Sequence, residues 1–135
     1  MTSTYTPLGV ELMVTGENAG TWGTKTNTNL GIVEQISGGY LSVAVNGTGN
    51  TNIVVSDGAA TSGNQVAHRI IELTGTITGN ITVSIPLDVE NFYFVKNSTS
   101  GSHTVEFQYA SGSGASVTFG ATSKTWKVIS AKADD

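Results

Sequence analysis

The segment TITGNITVSIP, residues 76–86, indicates the fold class of this chain most directly. Apolar Ile81, Val83 and Ile85 alternate with polar residues in its second half. Because successive side chains of a strand point to opposite faces of a sheet, this alternation is typical of a half-buried β-strand. The preceding residues TGN, 78–80, have the composition of a turn. We therefore predict two strands, one on each side of that turn.

Similar segments lie on both sides of residues 76–86, at intervals of roughly 8 to 12 residues. They are YLSVAV (40–45), TNIVVS (51–56), HRIIELTG (68–75), ENFYFVKN (90–97), SHTVEFQYA (102–110), SVTFG (116–120) and KTWKVISA (124–131). The loops NGTGN (46–50) and STSG (98–101) resemble hairpin turns. This spacing favours a sandwich or a barrel. We expect a mainly β chain with a single antiparallel, jelly-roll-like β-sandwich of about eight short strands.

The composition agrees with a β-rich class. Thr, Ser, Asn and Gly make up about 45% of the 135 residues, charged residues make up 12%, and Pro occurs twice. Such a mixture favours turns and strands over helices. The segment LTGTITGN (73–80) echoes VNGTGNTN (45–52), and we interpret this echo as a product of composition rather than as a repeat.

One helical segment precedes the strands. In TWGTKTNTNLGIVEQISGGY (21–40), apolar residues recur near helical spacing from Trp22 onward, and Gly38-Gly39 has the composition of a left-handed C-cap. We predict a helix over residues 24–37. Gly31 costs roughly 1 kcal/mol inside a helix. We therefore expect packing to hold the helix, with Trp22 as its anchor.

An apolar segment, GVELMV (9–14), lies before this helix and is typical of an extended arm with one short strand. We assign residues 1–39 to an N-terminal arm and docking helix. Residues 40–135 form the β-sandwich domain in this interpretation.

Charge and composition argue against several classes of function. A formal net charge of -4, with only six Lys and Arg, provides no basic surface for a phosphate backbone, so we expect no nucleic-acid partner. The chain has no cysteine and therefore no disulfide framework. No apolar run reaches the roughly 18 residues of a membrane span, and the N-terminus lacks the features of a signal peptide. We expect a protein made in the cytoplasm without membrane insertion.

No pattern of catalytic or metal-binding residues stands out in the sequence. His68 and His103 lack an acidic or histidine neighbour at ligand spacing, and no serine lies in a G-x-S-x-G motif. Asp88 and Glu90 are close together in PLDVEN, which we interpret as a solvated turn rather than as an acid-base pair. We predict that the protein is not an enzyme and uses no cofactor or metal.

Two further patterns have simple interpretations. Tyr93, Tyr109 and Trp126 would form a sugar-stacking platform if they faced solvent, but aromatic residues on alternating strands more often belong to the core. Three N-x-S/T triplets arise from a composition rich in Asn and Thr. They begin at Asn46, Asn80 and Asn97.

The segment TPLGVELMVTGENAGTWGTKTNTNLGIVEQISGGY (6–40), followed by residues 67–114, resembles virion structural and tail-fibre proteins of marine tailed bacteriophages, such as those of cyanobacteria. The resemblance covers nearly the whole chain. It is most specific in residues 16–30, because related fibre proteins carry a similar Asn/Gly-Trp-Gly passage with Asn and Leu downstream. The matching residues here are Asn18, Gly20, Trp22, Gly23, Asn27, Asn29 and Leu30.

The resemblance implies a non-enzymatic structural subunit of a virion. Its expected role is an outward-facing β module, such as a short fibre, a tail-fibre attachment or a capsid decoration. It would act by self-association, with a trimer favoured, and by docking on other virion proteins. The alternative is an adhesin that binds glycans or another host-surface ligand through the polar loops 57–65 and 111–116.

We expect the assembly interface to be formed by the arm and one face of the helix. Its residues are Leu8, Val10, Leu12, Val14, Trp22, Leu30, Val33 and Ile36. In this interpretation these side chains contact either a neighbouring copy or the strand domain. In the alternative interpretation, the helix only caps the open end of its own sandwich.

Overall fold

Ten strands and two helices make up the chain in the computed structural model, which describes residues 3–111 and 115–133. In chain order they are β1 (Thr4–Tyr5), β2 (Glu11–Leu12), α1 (Trp22–Gly38), β3 (Tyr40–Ala44), β4 (Gly47–Asn52), a short 3-10 helix (Gln65–Ala67), β5 (Ile70–Thr74), β6 (Ile77–Ile85), β7 (Glu90–Asn97), β8 (Val105–Tyr109), β9 (Val117–Phe119) and β10 (Trp126–Lys132). The predicted β-rich class, with one α-helix before the main strands, is confirmed in these residues.

Strands β3 to β10 form two four-stranded sheets. Sheet I has the order β10-β7-β5-β3, and sheet II has the order β4-β6-β8-β9. The pairs among β3, β5 and β7 and among β4, β6 and β8 are parallel. Because consecutive strands from β3 to β8 alternate between the sheets, the chain winds through three turns of a flat coil. Strands β9 and β10 then run antiparallel to β8 and β7 and cover one edge of each sheet.

The predicted single antiparallel sandwich is therefore wrong. The loops NGTGN and STSG do not close hairpins, because the strands on either side of each loop lie in different sheets. Strand β4 itself includes most of NGTGN and ends at Asn52. The predicted turn at residues 78–80 lies inside β6, a single strand of nine residues. Alternation defines which side chains share a face, but it does not define the neighbouring strand.

The turns of the coil stack with a regular offset. Ile70 of β5 pairs with Phe94 of β7, and Ile81 of β6 pairs with Val105 of β8, so the offset is 24 residues in both sheets. The first turn is longer, since Tyr40 of β3 pairs with Ile70. The two segments of the sequence echo lie at the same corner of successive turns. The matching letters are 28 residues apart, whereas Gly47 pairs with Ile77, so the echo is not in register with the strand pairing and its origin in composition stays our interpretation.

Asparagine side chains connect successive turns of the coil. The Oδ1 atom of Asn46 accepts a hydrogen bond from the Thr76 N–H, 3.1 Å away. The Oδ1 atom of Asn80 accepts from the Thr104 N–H at the same distance. The third triplet asparagine, Asn97, is fully buried at the corner after β7. Asn46 and Asn97 therefore lie at corners of the coil, whereas Asn80 lies within β6.

The core lies between the two sheets. An aromatic contact across the sheets joins Tyr93 and Phe107, whose ring centroids are 6.0 Å apart. The Tyr93 hydroxyl donates a hydrogen bond to the Val66 carbonyl at 2.7 Å, and burial raises the pKa of this hydroxyl above its ordinary value. The buried cluster comprises Leu41, Val43, Val45, Ile53, Val66, Ile71, Leu73, Ile77, Ile81, Val83, Ile85, Val89, Tyr93, Val95, Val105, Phe107, Phe119, Ile129 and Ala131.

Helix α1 confirms the predicted helix and begins two residues earlier than predicted, at Trp22. Gly39 follows it with φ -69° and ψ 141°, so the predicted left-handed cap is wrong, although the Gly39 N–H still donates to the Gln35 carbonyl at 2.7 Å. Gly31 lies against the loop before the 3-10 helix. A Cβ atom at Gly31 would lie only 2.8 Å from the Ala60 Cβ. The glycine therefore allows a close approach that compensates for its poor helix propensity.

Candidate interaction surfaces

The side of helix α1 that contacts the rest of the protein carries both apolar and polar residues. Ile32 is its one fully buried apolar residue. The Asn29 side-chain amide donates to the Glu11 carbonyl and accepts from the Glu11 N–H, both at 2.9 Å. The Lys25 ammonium lies 3.2 Å from the Glu11 carboxylate. These contacts fix strand β2 of the arm along the helix.

The Glu11 side chain is a nearly buried carboxylate, with 5% of the residue exposed. Desolvation acts to raise its pKa, but the hydrogen bond and charge of Lys25, together with hydrogen bonding from Ser3 and Asn18, outweigh it, so the pKa of Glu11 lies below its ordinary value. A group with a lowered pKa in the folded state stabilises the fold above its unfolded pKa. That contribution is lost as the pH falls through the folded value.

We expect Glu11→Gln to lower the midpoint of thermal unfolding at neutral pH by a few degrees, because it removes the charge that pairs with Lys25. The difference from the wild type should shrink in acid, where Glu11 is itself protonated. Thermal unfolding followed by circular dichroism at neutral and acid pH measures both effects. Asp57→Asn, which removes an exposed carboxylate in the loop after β4, is the control. A difference that persists unchanged in acid would contradict the role of the charge.

An exposed apolar stripe also runs along α1. Trp22, Leu30 and Val33 are 65%, 61% and 50% exposed, and their spacing brings them to one side of the helix. We call these three residues the helix stripe. Trp22 therefore does not anchor the helix to its own chain, and that prediction is wrong. The stripe contains three of the residues predicted for the assembly interface.

The other predicted interface residues lie in several environments. Leu8 packs against the core cluster of the strands. Val10 and Ile36 are half-buried and line, with Leu8, a cavity of about 300 Å³ between the arm and the strand domain. Leu12 is exposed and Val14 is half-buried. The contact of the arm with the strand domain thus involves Leu8, whereas the assembly interface and the domain division at residue 39 stay predictions.

The outer face of sheet I carries a second apolar surface. Tyr40, Ile70, Phe94 and Val128 pair in register across all four strands and point away from the core. Phe92 and Trp126 flank this row on β7 and β10. We call these six residues the aromatic face. All of them except Ile70 are between 40% and 64% exposed.

The aromatic face is large for an exposed surface. Aromatic side chains carry about 150–250 Å² each, so these residues together present roughly 450 Å² of apolar area to solvent. Contiguous apolar patches of a few hundred Å² on a monomer are often functional. The signal in the sequence was NFYFV (91–95), where apolar residues occupy both faces of one strand. The expectation that a strand aromatic belongs to the core named Tyr93, which is buried, whereas Phe92 and Phe94 on the other face of the same strand are exposed.

Charged groups surround the aromatic face. The Arg69 guanidinium lies 3.6 Å above the Phe92 ring centroid, and the Lys96 ammonium lies 5.6 Å from the Trp126 ring centroid. The Glu72 carboxylate accepts hydrogen bonds from the Tyr40 hydroxyl and, at 2.6 Å, from the Ser98 hydroxyl. The charged residues on or beside this face are Arg69, Glu72, Glu90, Lys96 and Lys132. Three positive and two negative charges give this surface a net charge of +1, although the chain carries -4.

The proposed sugar platform is only partly formed. Tyr93 is fully buried, Tyr109 is half-buried, and Trp126 alone of the three is exposed. The loop 57–65 has a structural role, since its buried Asn64 donates hydrogen bonds to the Leu8 carbonyl at 2.9 Å and to the Ala59 carbonyl at 3.1 Å. The other loop considered for glycans, 111–116, lies partly outside the described residues.

The titratable groups do not form a metal cluster in the described part of the chain. Across residues 3–111 and 115–133, no three His, Asp or Glu side chains come together in a way that would hold a metal ion. His68 is buried, and its Nδ1 lies 3.1 Å from the Gln65 carbonyl oxygen. Asp88 and Glu90 are both exposed. The absence of enzymatic activity stays a prediction.

No helix in residues 3–111 and 115–133 has the length and apolar character needed to cross a membrane. Comparisons of the chain with models of protein families, with curated proteins and with solved structures found no match in any of the three. The resemblance to tail-fibre proteins therefore stays a prediction.

Proposed function

We propose that this protein is a non-enzymatic structural subunit of a tailed-phage virion that acts by self-association and by docking on other virion proteins. The observation that carries the self-association is the aromatic face, which leaves four aromatic rings on the outer side of sheet I. The assignment to a virion rests on the sequence resemblance. The proposed location is the particle surface, as a short fibre, a tail-fibre attachment or a capsid decoration.

The size of the aromatic face supports a protein partner. A stable protein interface buries about 800 Å² on each partner, of which somewhat more than half is apolar. The roughly 450 Å² of apolar area on this face equals the apolar part of one such interface. Burial of this area against another copy would also stabilise a small domain by mass action.

A glycan-binding adhesin is the second candidate, and one observation favours it. Glu72 and Lys96 lie in register beside Trp126, and polar groups beside an exposed aromatic ring suit the hydroxyls and the apolar face of a sugar. The cations argue for the protein partner instead. Arg69 already covers one side of the Phe92 ring, and Lys96 lies close to the Trp126 ring, so these two rings are less available for sugar stacking.

Light scattering of the purified protein over a wide concentration range tests the self-association. We expect a mass of at least twice 13.9 kDa at high concentration, with a trimer favoured. Val128→Glu, on an exposed position of edge strand β10, should weaken association at least tenfold, because it adds a charge to the aromatic face. Asn52→Asp, on an exposed position of sheet II, is the matched control and should assemble like the wild type.

Two outcomes would contradict the proposed function. A wild-type protein that stays monomeric at every concentration would contradict self-association, and specific binding on a glycan array would then support the adhesin. The virion assignment is tested by mass spectrometry of purified particles whose genome encodes the chain. We expect the chain at a constant ratio to the major capsid protein, and its absence from such particles would contradict the assignment.

A further inference from the structure

We infer that the helix stripe of one copy packs on the aromatic face of a second copy, in a head-to-tail contact. This inference rests on the proposed self-association and names the two surfaces that meet. Both surfaces are apolar and exposed on the same chain. Every copy therefore carries an apolar surface that can cover the other apolar surface of a second copy.

The two surfaces match in length. Trp22 and Val33 are 11 residues apart in sequence, which is about 16 Å along a helix. The row from Tyr40 to Val128 crosses four neighbouring strands, which is about 14 Å across a sheet. A helix laid along this row therefore brings the whole stripe onto the aromatic face.

The two surfaces also match in area. With their measured exposure, the three side chains of the helix stripe present roughly 350 Å² of apolar area. Together with the aromatic face, the apolar area buried would be roughly 800 Å². A standard interface buries about 1,600 Å² in total, slightly more than half of it apolar. One helix-to-sheet contact thus provides the apolar core of a stable interface.

The charges beside the two surfaces are opposite in sign. Helix α1 contains two charged residues, Lys25 and Glu34. Lys25 is paired with Glu11 of the arm, whereas Glu34 is exposed about one helical turn after Leu30. The aromatic face has a net charge of +1, with Arg69 and Lys96 beside its rings. This complementarity favours the contact of stripe with face over the contact of either surface with its own copy.

A contact between two different surfaces has a defined consequence for assembly. Each copy offers one helix stripe and one aromatic face, so the contact repeats from copy to copy and closes into a ring when the rotation allows it. A trimer is the ring that the sequence resemblance favours. If each surface instead packed on its own counterpart, the contact would be two-fold and would saturate in pairs.

Two variants, alone and mixed, test the inference. Leu30→Lys removes an apolar residue from the stripe and keeps helix propensity, and Val128→Glu disrupts the aromatic face. We expect each variant alone to remain near 13.9 kDa in light scattering at concentrations where the wild type assembles. We expect the equimolar mixture to recover at least twice that mass, because the intact stripe of one variant meets the intact face of the other. Circular dichroism confirms that both variants fold.

The outcomes distinguish the inference from the proposed function. Assembly of the wild type with full assembly of either single variant would overturn the head-to-tail contact and leave self-association intact. Two monomeric variants whose mixture also stays monomeric would likewise overturn it. A monomeric wild type would overturn both the inference and the proposed self-association.

The two tryptophans of the chain provide an independent readout with small perturbation. Trp22 lies on the helix stripe and Trp126 on the aromatic face. In Trp22→Phe and Trp126→Phe, the remaining tryptophan reports on one surface at a time. We expect the fluorescence of each to shift to shorter wavelength as concentration rises. A shift confined to one of the two variants would overturn the inference.

Discussion

Phe119→Ala is expected to lower the free energy of unfolding by about 3–5 kcal/mol, the cost of truncating a buried phenylalanine. Phe119 is fully buried in β9, a strand of only three residues. It pairs with Val105 and brings its ring into the core at the end of sheet II. The truncation leaves a cavity in the element that covers the edge of β8. Urea unfolding followed by circular dichroism measures the loss.

The position on β9 allows a close control. Thr118 is the exposed neighbour on the opposite side of the same strand, so Thr118→Ala should change stability by less than about 0.5 kcal/mol. If Phe119→Ala fails to fold, Phe119→Leu provides the test. It keeps an apolar side chain and should lower the free energy of unfolding by less than the alanine substitution. We also expect Phe119→Ala to aggregate more readily, because loss of β9 exposes the unpaired edge of β8. If Phe119→Ala lowered the free energy of unfolding by no more than Thr118→Ala does, β9 would not contribute to the core.

Asn97→Ala is expected to lower the free energy of unfolding by about 2–4 kcal/mol, because it leaves several buried polar groups without partners. The Asn97 Oδ1 accepts from the Thr99 hydroxyl at 2.6 Å and from the Thr99 N–H at 3.2 Å. Its amide donates to the Ser123 carbonyl at 3.1 Å. One side chain therefore joins the corner after β7 to the loop before β10.

The matched control for this corner is Asn27→Ala on the exposed surface of α1. It deletes the same side chain outside the core and improves helix propensity, so it should leave stability within about 0.5 kcal/mol of the wild type. Equal unfolding midpoints in urea for the two alanine variants would contradict the role of Asn97.

Local features of the fold could be predicted from the sequence, because they depend on side chains that are close along the chain. The alternation of Ile81, Val83 and Ile85 located the inner side of β6, and the spacing after Trp22 located α1 within two residues. The choice of partner strand is not a local property. Asn46-Gly47 is a frequent hairpin turn, yet the Asn46 side chain bonds to Thr76, thirty residues later, and the chain crosses to the other sheet.

The two exposed apolar surfaces could be recognised from the sequence only in part, for a similar reason. Trp22, Leu30 and Val33 were expected at an interface or against the strand domain, and they lie on the exposed side of α1. The buried side depends on Asn29, whose amide bonds to a strand that is distant in sequence. The aromatic face was missed, because an apolar residue such as Phe94 on a strand with two apolar faces has the same sequence signal as a core residue.

The equal 24-residue offset in the two sheets, from Ile70 to Phe94 and from Ile81 to Val105, defines residues 70–93 as one complete turn of the coil. An in-frame duplication of the gene segment encoding this turn would insert one new strand into each sheet without changing the partners of the capping strands. The protein would lengthen by one strand spacing, about 4.8 Å, for each copy inserted. Such a chain can therefore evolve new lengths by tandem duplication, while its N-terminal helix and its C-terminal cap stay unaltered.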